Sequence, residues 1–188
     1  MKHLAFSAAC LLTLSTQAAW SQSFSYEFYL GAAIDLTADG LEYTDVDYPL
    51  DNGSAFGLGA YTDQFGGVEL GLDLMVTDRR YTDFESGLKS VSLMAMGRYP
   101  VARFATGDAY VGAGLGAIRV EYDGADFAPA FTGDEITAGG QISLGTRFGL
   151  GTGQGFVEFK YQTAFDTVEI VGETIEYNTS ALVVGYRF

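Results

Sequence analysis

The sequence predicts an all-β protein, an eight-stranded antiparallel transmembrane β-barrel with short turns at one end and longer loops at the other. Three observations predict it. Apolar residues recur at alternate positions in eight separate segments. The connections between those segments alternate between short and long. Beyond the first segment, no apolar run reaches the roughly 18 residues a membrane-crossing helix needs, although 48% of the chain is hydrophobic.

The chain opens with Lys2 and His3, continues with an apolar stretch from Leu4 to Leu14, and then carries small and polar residues through Ser21. This is the layout of a secretory signal peptide. Residues 1–21 are therefore assigned to the signal, with cleavage after Ala19-Trp20-Ser21 and a site after Ala19 as the alternative. Reading Cys10 as a lipid-modified cysteine is the weaker choice, because Ser7 stands where a leucine-like residue is expected. The barrel domain is expected over residues 22–188, a length that suits one domain.

The strands follow in order. Phe24, Tyr26, Phe28, Leu30, Ala32, Ile34 and Leu36 alternate with Ser25, Glu27, Tyr29, Gly31, Ala33, Asp35 and Thr37. One face is apolar and the other is small or polar. At 14 positions this run exceeds an ordinary strand of about 5–6 residues and suits a tilted crossing of about 9–11. Phe56, Leu58 and Ala60 mark a second strand, and Val68, Leu70, Leu72, Leu74 and Val76 a third. Val91, Leu93, Ala95, Gly97 and Tyr99 mark the fourth. Val111, Ala113, Leu115 and Ala117 mark the fifth, where Ile118, Val120 and Tyr122 shift the apolar pattern to the other parity, which predicts a β-bulge near Ala117. Ile136, Ala138, Gly140, Ile142, Leu144 and Phe148 form the sixth, Val157, Phe159, Tyr161 and Phe165 the seventh, and Leu182, Val184, Tyr186 and Phe188 the eighth.

Segments 62–66, 100–108 and 150–155 are short and rich in turn residues, whereas 38–53, 77–86, 123–135 and 166–176 are longer and acidic. A bilayer offers no water to an open sheet edge, so the sheet must close. An even strand number with alternating connections predicts a barrel of the bacterial outer membrane, its short turns periplasmic and its long loops extracellular.

The last strand, Leu182-Val183-Val184-Gly185-Tyr186-Arg187-Phe188, ends on an aromatic. It resembles the C-terminal insertion signal of outer-membrane barrels, with Phe188, Tyr186, Val184 and Leu182 at the matching positions. The resemblance implies recognition by the barrel assembly machinery. The stretch Tyr110-Val111-Gly112-Ala113-Gly114 is similar to a pattern in small barrels of the opacity-protein and outer-membrane-protein-A type. The chain departs from the two-domain members of that group, since nothing after Phe188 would form a peptidoglycan-binding domain.

On the face opposite the apolar stripe the charged residues are Glu27, Glu69, Asp73, Arg98, Arg147, Glu158, Lys160 and Arg187. Four acids meet four bases, as buried charges require. Equal distance from a short turn places Glu69 opposite Arg98, Arg147 opposite Glu158, and Glu27 opposite Arg187. Asp73 and Lys160 are then left to pair across the lumen. The expectation is a neutral network that plugs a barrel just wide enough for its own side chains. Charges standing in water at the periplasmic rim are the plainer alternative.

The chain carries 24 acids and 10 bases, a net charge of −14. Sixteen of those acids fall in the four long loops, against Arg79 and Arg80, so nucleic acid is excluded as a partner. The expected partners are outer-membrane lipid and lipopolysaccharide, and a monomer is expected. Divalent cations at the acidic loops are a further candidate, with Asp45, Asp47 and Asp51 the densest cluster. That cluster lacks the spacing and closing Glu of a calcium loop, so a solvated acidic loop is the simpler reading. Tyr26, Tyr99, Tyr161, Tyr186, Phe24, Phe148 and Phe188 fall where interfacial girdles belong. The loop aromatics Tyr43, Tyr48, Tyr81, Phe84, Phe127 and Phe131 would serve adhesion if the loops bind a surface.

His3 and Cys10, the single histidine and the single cysteine, both lie in the signal segment. Histidine-dependent hydrolysis is thus closed to the mature chain, and Asp45 with Asp47 on a loop make a poor acid–base pair. No catalytic residue, cofactor or metal site is expected. The function read from the sequence is structural or adhesive, in the envelope. A narrow channel or small-solute transporter is the alternative, and a soluble ligand-binding barrel is disfavoured because the small and charged face would line its cavity.

Overall fold

A computed structural model of the chain describes residues 24–34, 41–43, 46–48, 52–62, 66–80, 87–123, 132–170 and 173–188. The expected signal segment and its expected cleavage site lie outside them. Among the described residues, the strands are β1 (Phe24–Ile34), β2 (Leu41–Tyr43), β3 (Val46–Tyr48), β4 (Gly53–Thr62), β5 (Glu69–Arg80), β6 (Gly87–Phe104), β7 (Gly107–Asp123), β8 (Thr132–Leu150), β9 (Gly153–Ala164), β10 (Val168–Ile170), β11 (Glu173–Ile175) and β12 (Asn178–Arg187).

Eight of them close an antiparallel barrel in the order β1-β12-β9-β8-β7-β6-β5-β4. The first strand meets the last, with Glu27 opposite Arg187 and Ala33 opposite Ala181, and the backbone N–H of Phe188 donates to the carbonyl of Tyr26 at 2.9 Å. No edge is left in the wall, as burial in lipid demands. Followed around the barrel from Glu27 through Gly59, Asp73, Met94, Gly116, Gly139 and Ala164, the register returns at Tyr177, the residue before β12 and ten residues from Arg187. Such a stagger goes with strands tilted by roughly 35–45°.

The alternation read from the sequence is the in–out alternation of the wall. Leu70, Leu72 and Leu74 are exposed on the outer surface of β5, while Glu69, Asp73 and Met75 are buried between them. The strands run further than their apolar residues suggested. β6, β7 and β8 span 18, 17 and 19 residues, well beyond the roughly 9–11 needed to cross. Residues 77–80, 123 and 132–135, read as loop, are therefore strand, because pairing continues past the greasy band. Segments 38–53 and 166–176 each carry a small hairpin, β2 with β3 and β10 with β11.

Two short connections are tighter than read. Strand pairing takes up most of 100–108 and 150–155, leaving turns at 105–106 and 151–152. Gly151 supplies the positive φ of its turn, 61°.

The bulge expected near Ala117 is absent. β7 pairs without interruption through Ala117 on both sides, and the register shift of β6 with β7 lies between Pro100 and Ala102. Ile118 and Val120 keep the inward parity of Gly112, Gly114 and Gly116. Their side chains change size, not direction. They meet Met94, Leu88, Val168 and Tyr177 in an apolar cluster that fills the barrel at its long-loop end.

Candidate functional site

The charged face of the strands converges on the barrel axis. Glu27, Glu69, Asp73, Arg98, Arg147, Glu158, Lys160 and Arg187 are all buried, none more than 5% exposed. Their parity puts them inside; the reach of their side chains decides who pairs with whom.

Arg98 lies at the centre of the network. Its Nη1 donates to both carboxylate oxygens of Glu27, at 2.8 and 2.7 Å, and its Nη2 donates to both of Glu158, at 3.2 and 2.9 Å. The guanidinium also lies over the Tyr61 ring, 3.9 Å from its centroid, and 4.9 Å from that of Tyr110. A delocalised cation with several donors in one plane suits such a place, because it serves two carboxylates and two aromatic faces at once.

Nearer the short-turn end, Arg147 Nη1 donates to Glu69 at 2.8 and 2.7 Å, and its Nε and Nη2 make a fork to Asp108 at 2.8 and 2.6 Å. Arg187 adds a second donor to Glu69 at 3.0 Å and lies 3.6 Å from Glu27.

The expected pairing is thus corrected in two places. Glu69 and Arg98 are register partners, yet Arg98 bonds Glu27 and Glu158 while Glu69 takes Arg147 and Arg187. The pairing of Arg147 with Glu158 fails in the register itself, which sets Glu158 opposite Gly145 and Arg147 opposite Phe156, and each finds its partners elsewhere. An arginine side chain spans this narrow lumen, so cross-barrel geometry outweighs the wall register. Glu27 with Arg187 and Asp73 with Lys160 are brought together as the register and the remainder suggested.

Above this ionic layer the network becomes amide and hydroxyl. Asp73 takes Lys160 as its counter-ion, accepts from the Tyr29 hydroxyl at 2.7 Å, and accepts from Gln141 Nε2 at 2.9 Å. Gln162 links Gln141 to Ser92, donating at 2.6 and 2.7 Å. Lys160 also sits 4.1 Å from the Tyr29 ring centroid. Higher still, Tyr177 donates to Ser90 at 2.6 Å, and Ser90 pairs with Thr77 at 2.7 Å beneath the apolar cluster. Arg79, read as a loop base, is buried at this end of β5. From the short turns upward the lumen is filled with ions, then amides, then apolar side chains.

The charge pattern did not disclose Tyr29, Tyr61, Tyr110, Gln141 and Gln162. Their parity could have, since each shares the inward face with a predicted charge or glycine. Space for the rings comes from glycine on a neighbouring strand. A Cβ built on Gly145 would stand 2.5 Å from the Tyr110 ring, and one on Gly71 would stand 2.4 Å from that of Tyr61. Asp108 was read as part of a turn, but it lies inward and holds Arg147.

On the outer surface, Phe188 stacks edge-on against Tyr186 at 5.0 Å, and Phe28 lies 5.8 Å from Phe188. Leu182 and Val184 continue that lipid-facing row. Tyr26, Tyr99, Phe24 and Phe148 are exposed on the same face of the wall. Of the acidic cluster, Asp45 and Asp51 lie outside the described residues, and for Asp47 only the backbone is described. Tyr81, Phe84, Phe127 and Phe131 lie outside them as well.

Comparison with known proteins places this geometry. The profile of the outer membrane protein β-barrel domain family matches residues 6–188. No curated protein matches the chain. Among solved structures, Neisserial surface protein A superposes with a TM-score of 0.63 at 12% identity, covering 89% of this chain and 98% of its own. The outer membrane protein OprG of Pseudomonas aeruginosa does so with a TM-score of 0.50 at 12% identity, covering 89% and 97%. At such identities the likeness is one of fold.

Proposed function

The chain belongs to the outer membrane protein β-barrel domain family, and from that premise we propose that it is a closed, non-conducting and non-enzymatic anchor that holds acidic loops at the surface of the bacterial outer membrane. The observation that carries this reading is Arg98, 1% exposed and bound on both sides by Glu27 and Glu158 in the middle of the lumen. A solute would have to break charge-assisted bonds in a poorly hydrated space to pass, and such bonds are among the strongest a side chain makes. The work of the protein then falls to its outside. The apolar wall and aromatic girdle seat it among outer-membrane lipid and lipopolysaccharide as a monomer, and the loops meet whatever the cell touches.

The reading needs no nucleophile, general base or cofactor. Divalent cations fit the loops as screening ions that let acidic strands approach one another.

Replacing residues 38–52 and 124–131 with short turns tests it. The barrel is expected to assemble unchanged and envelope permeability to stay the same, while attachment of cells to surfaces falls. Unchanged attachment together with raised permeability would overturn the assignment.

A further inference from the structure

We infer that the outer wall of β5, β6 and β7 carries a docking site for the phosphate groups of outer-leaflet lipopolysaccharide, formed by Lys89, Arg119 and Arg80. It rests on the long loops facing outward, as in the proposed function, and adds to that reading a defined site on the wall for one of those lipids.

Nine bases follow the signal segment. Five of them, Arg79, Arg98, Arg147, Lys160 and Arg187, are buried inside the barrel. Of the four on the outside, Arg103 stands at the short-turn end of β6, and the other three are gathered on adjacent strands at the opposite end. In a chain this acidic, such a gathering is selective.

Its height matters more than its number. On the outer face of β6 the apolar row Leu93, Val91 is followed directly by Lys89, and on β7 the row Leu115, Ala117 is followed by Arg119. Arg119 pairs in register with Val91 on one side and Ile136 on the other, both exposed apolar residues of the lipid-facing band. A guanidinium therefore emerges within the last apolar row, where a bilayer passes from acyl chain to headgroup. Lys89 lies one row higher, between Asp78 and Glu121, and Arg80 one row above that.

Three acids, Asp78, Glu121 and Asp134, stand among these bases, and the ion pairs that form are open to solvent. Arg119 Nε donates to Asp134 at 3.0 Å, and Glu121 lies 3.9 Å away, all about half exposed. Exposed pairs of this kind are weak and exchange readily for a stronger anion. Neither Lys89 nor Arg80 forms an ion pair among the described residues. A phosphorylated glycolipid whose acyl chains lie against Val91, Leu115 and Ile136 would bring its phosphates level with Lys89 and Arg119. Its acyl chains and its charge would be matched by the same strip of wall.

The test is titration of the folded, detergent-solubilised chain with bis-phosphorylated lipid A and, in parallel, with the same glycolipid stripped of phosphate, reading the bound fraction by native mass spectrometry. Phosphorylated lipid A is expected to bind preferentially. Lys89→Gln with Arg119→Gln is expected to weaken that binding by roughly 10- to 30-fold, about fivefold per surface base, while Arg103→Gln leaves it unchanged. Should the double variant fail to fold, Lys89→Gln alone decides. Equal binding of the phosphate-free lipid, or wild-type binding by the folded variants, overturns the site. Loss of the site leaves the closed lumen untouched, since that is read by conductance and this by lipid binding.

Discussion

Arg98 and Glu27 stand 71 residues apart in the chain and on strands that are not neighbours in the barrel wall, yet the guanidinium of one holds both oxygens of the other's carboxylate at 2.7 and 2.8 Å. That contact crosses the lumen. It makes the interior of the barrel a tertiary core in its own right, tying β6 to β1 and, through Glu158, to β9.

Arg98→Met leaves Glu27 and Glu158 buried with too little compensation. Breaking a buried pair from one side costs about 3–5 kcal/mol, so urea unfolding of the variant in lipid vesicles is expected to show a loss of that order. Arg98→Lys keeps the charge and loses the fork, and should fall between the two. A variant as stable as the wild type would remove Arg98 from the centre of the account.

Asp73 and Lys160 offer a cleaner cycle. Lys160→Met alone strands a carboxylate that Tyr29 and Gln141 still contact, and a cost of about 3–5 kcal/mol is expected. Asp73→Asn combined with Lys160→Met removes both charges and should recover most of it. Equal losses in the single and double variants would mean that the pair does not act as a unit.

Gly145→Ala and Gly97→Ala separate the two faces of the wall. The first drives a methyl into the Tyr110 ring, at 2.5 Å, and should cost about 1–3 kcal/mol by overpacking. The second points outward, with its nearest neighbour a Val68 methyl at 3.6 Å, and should leave the unfolding midpoint where it was. The same assay reads both.

Much of this fold was legible because lipid and lumen impose opposite demands on successive residues. Leu70, Leu72 and Leu74 against Glu69 and Asp73 leave one possible orientation for β5, and the inward parity of all eight lumen charges follows from the same rule. Ile118 and Val120 were misread because the lumen is apolar at one end, so large residues occupy both faces of β7 and imitate a slipped register. Arg79 was misread because its strand continues above the apolar band. The pairing of Glu69 with Arg147 rather than Arg98 was out of reach, since wall register says which residues are adjacent and not how far a guanidinium extends across a narrow tube. Tyr61 and Tyr110, whose rings lie against Arg98, left only their parity as a sign.

Phe188 separates assembly from stability. Its ring packs on Tyr186 and Phe28 at the lipid surface, outside the ionic core. Phe188→Ala is expected to refold in detergent nearly as well as the wild type, and to reach the outer membrane of living cells at a markedly lower level, measured by fractionation. Normal levels in cells would argue against the insertion signal read from Leu182, Val184, Tyr186 and Phe188.

Single-channel recording in planar bilayers bears most directly on the filled lumen. The purified wild-type chain is expected to insert without a steady conductance, and the Arg98→Ala variant to show rare, small, flickering openings at most. A large and lasting ion current through the unmodified protein would contradict the account, which rests on Arg98 holding Glu27 and Glu158 across the bore.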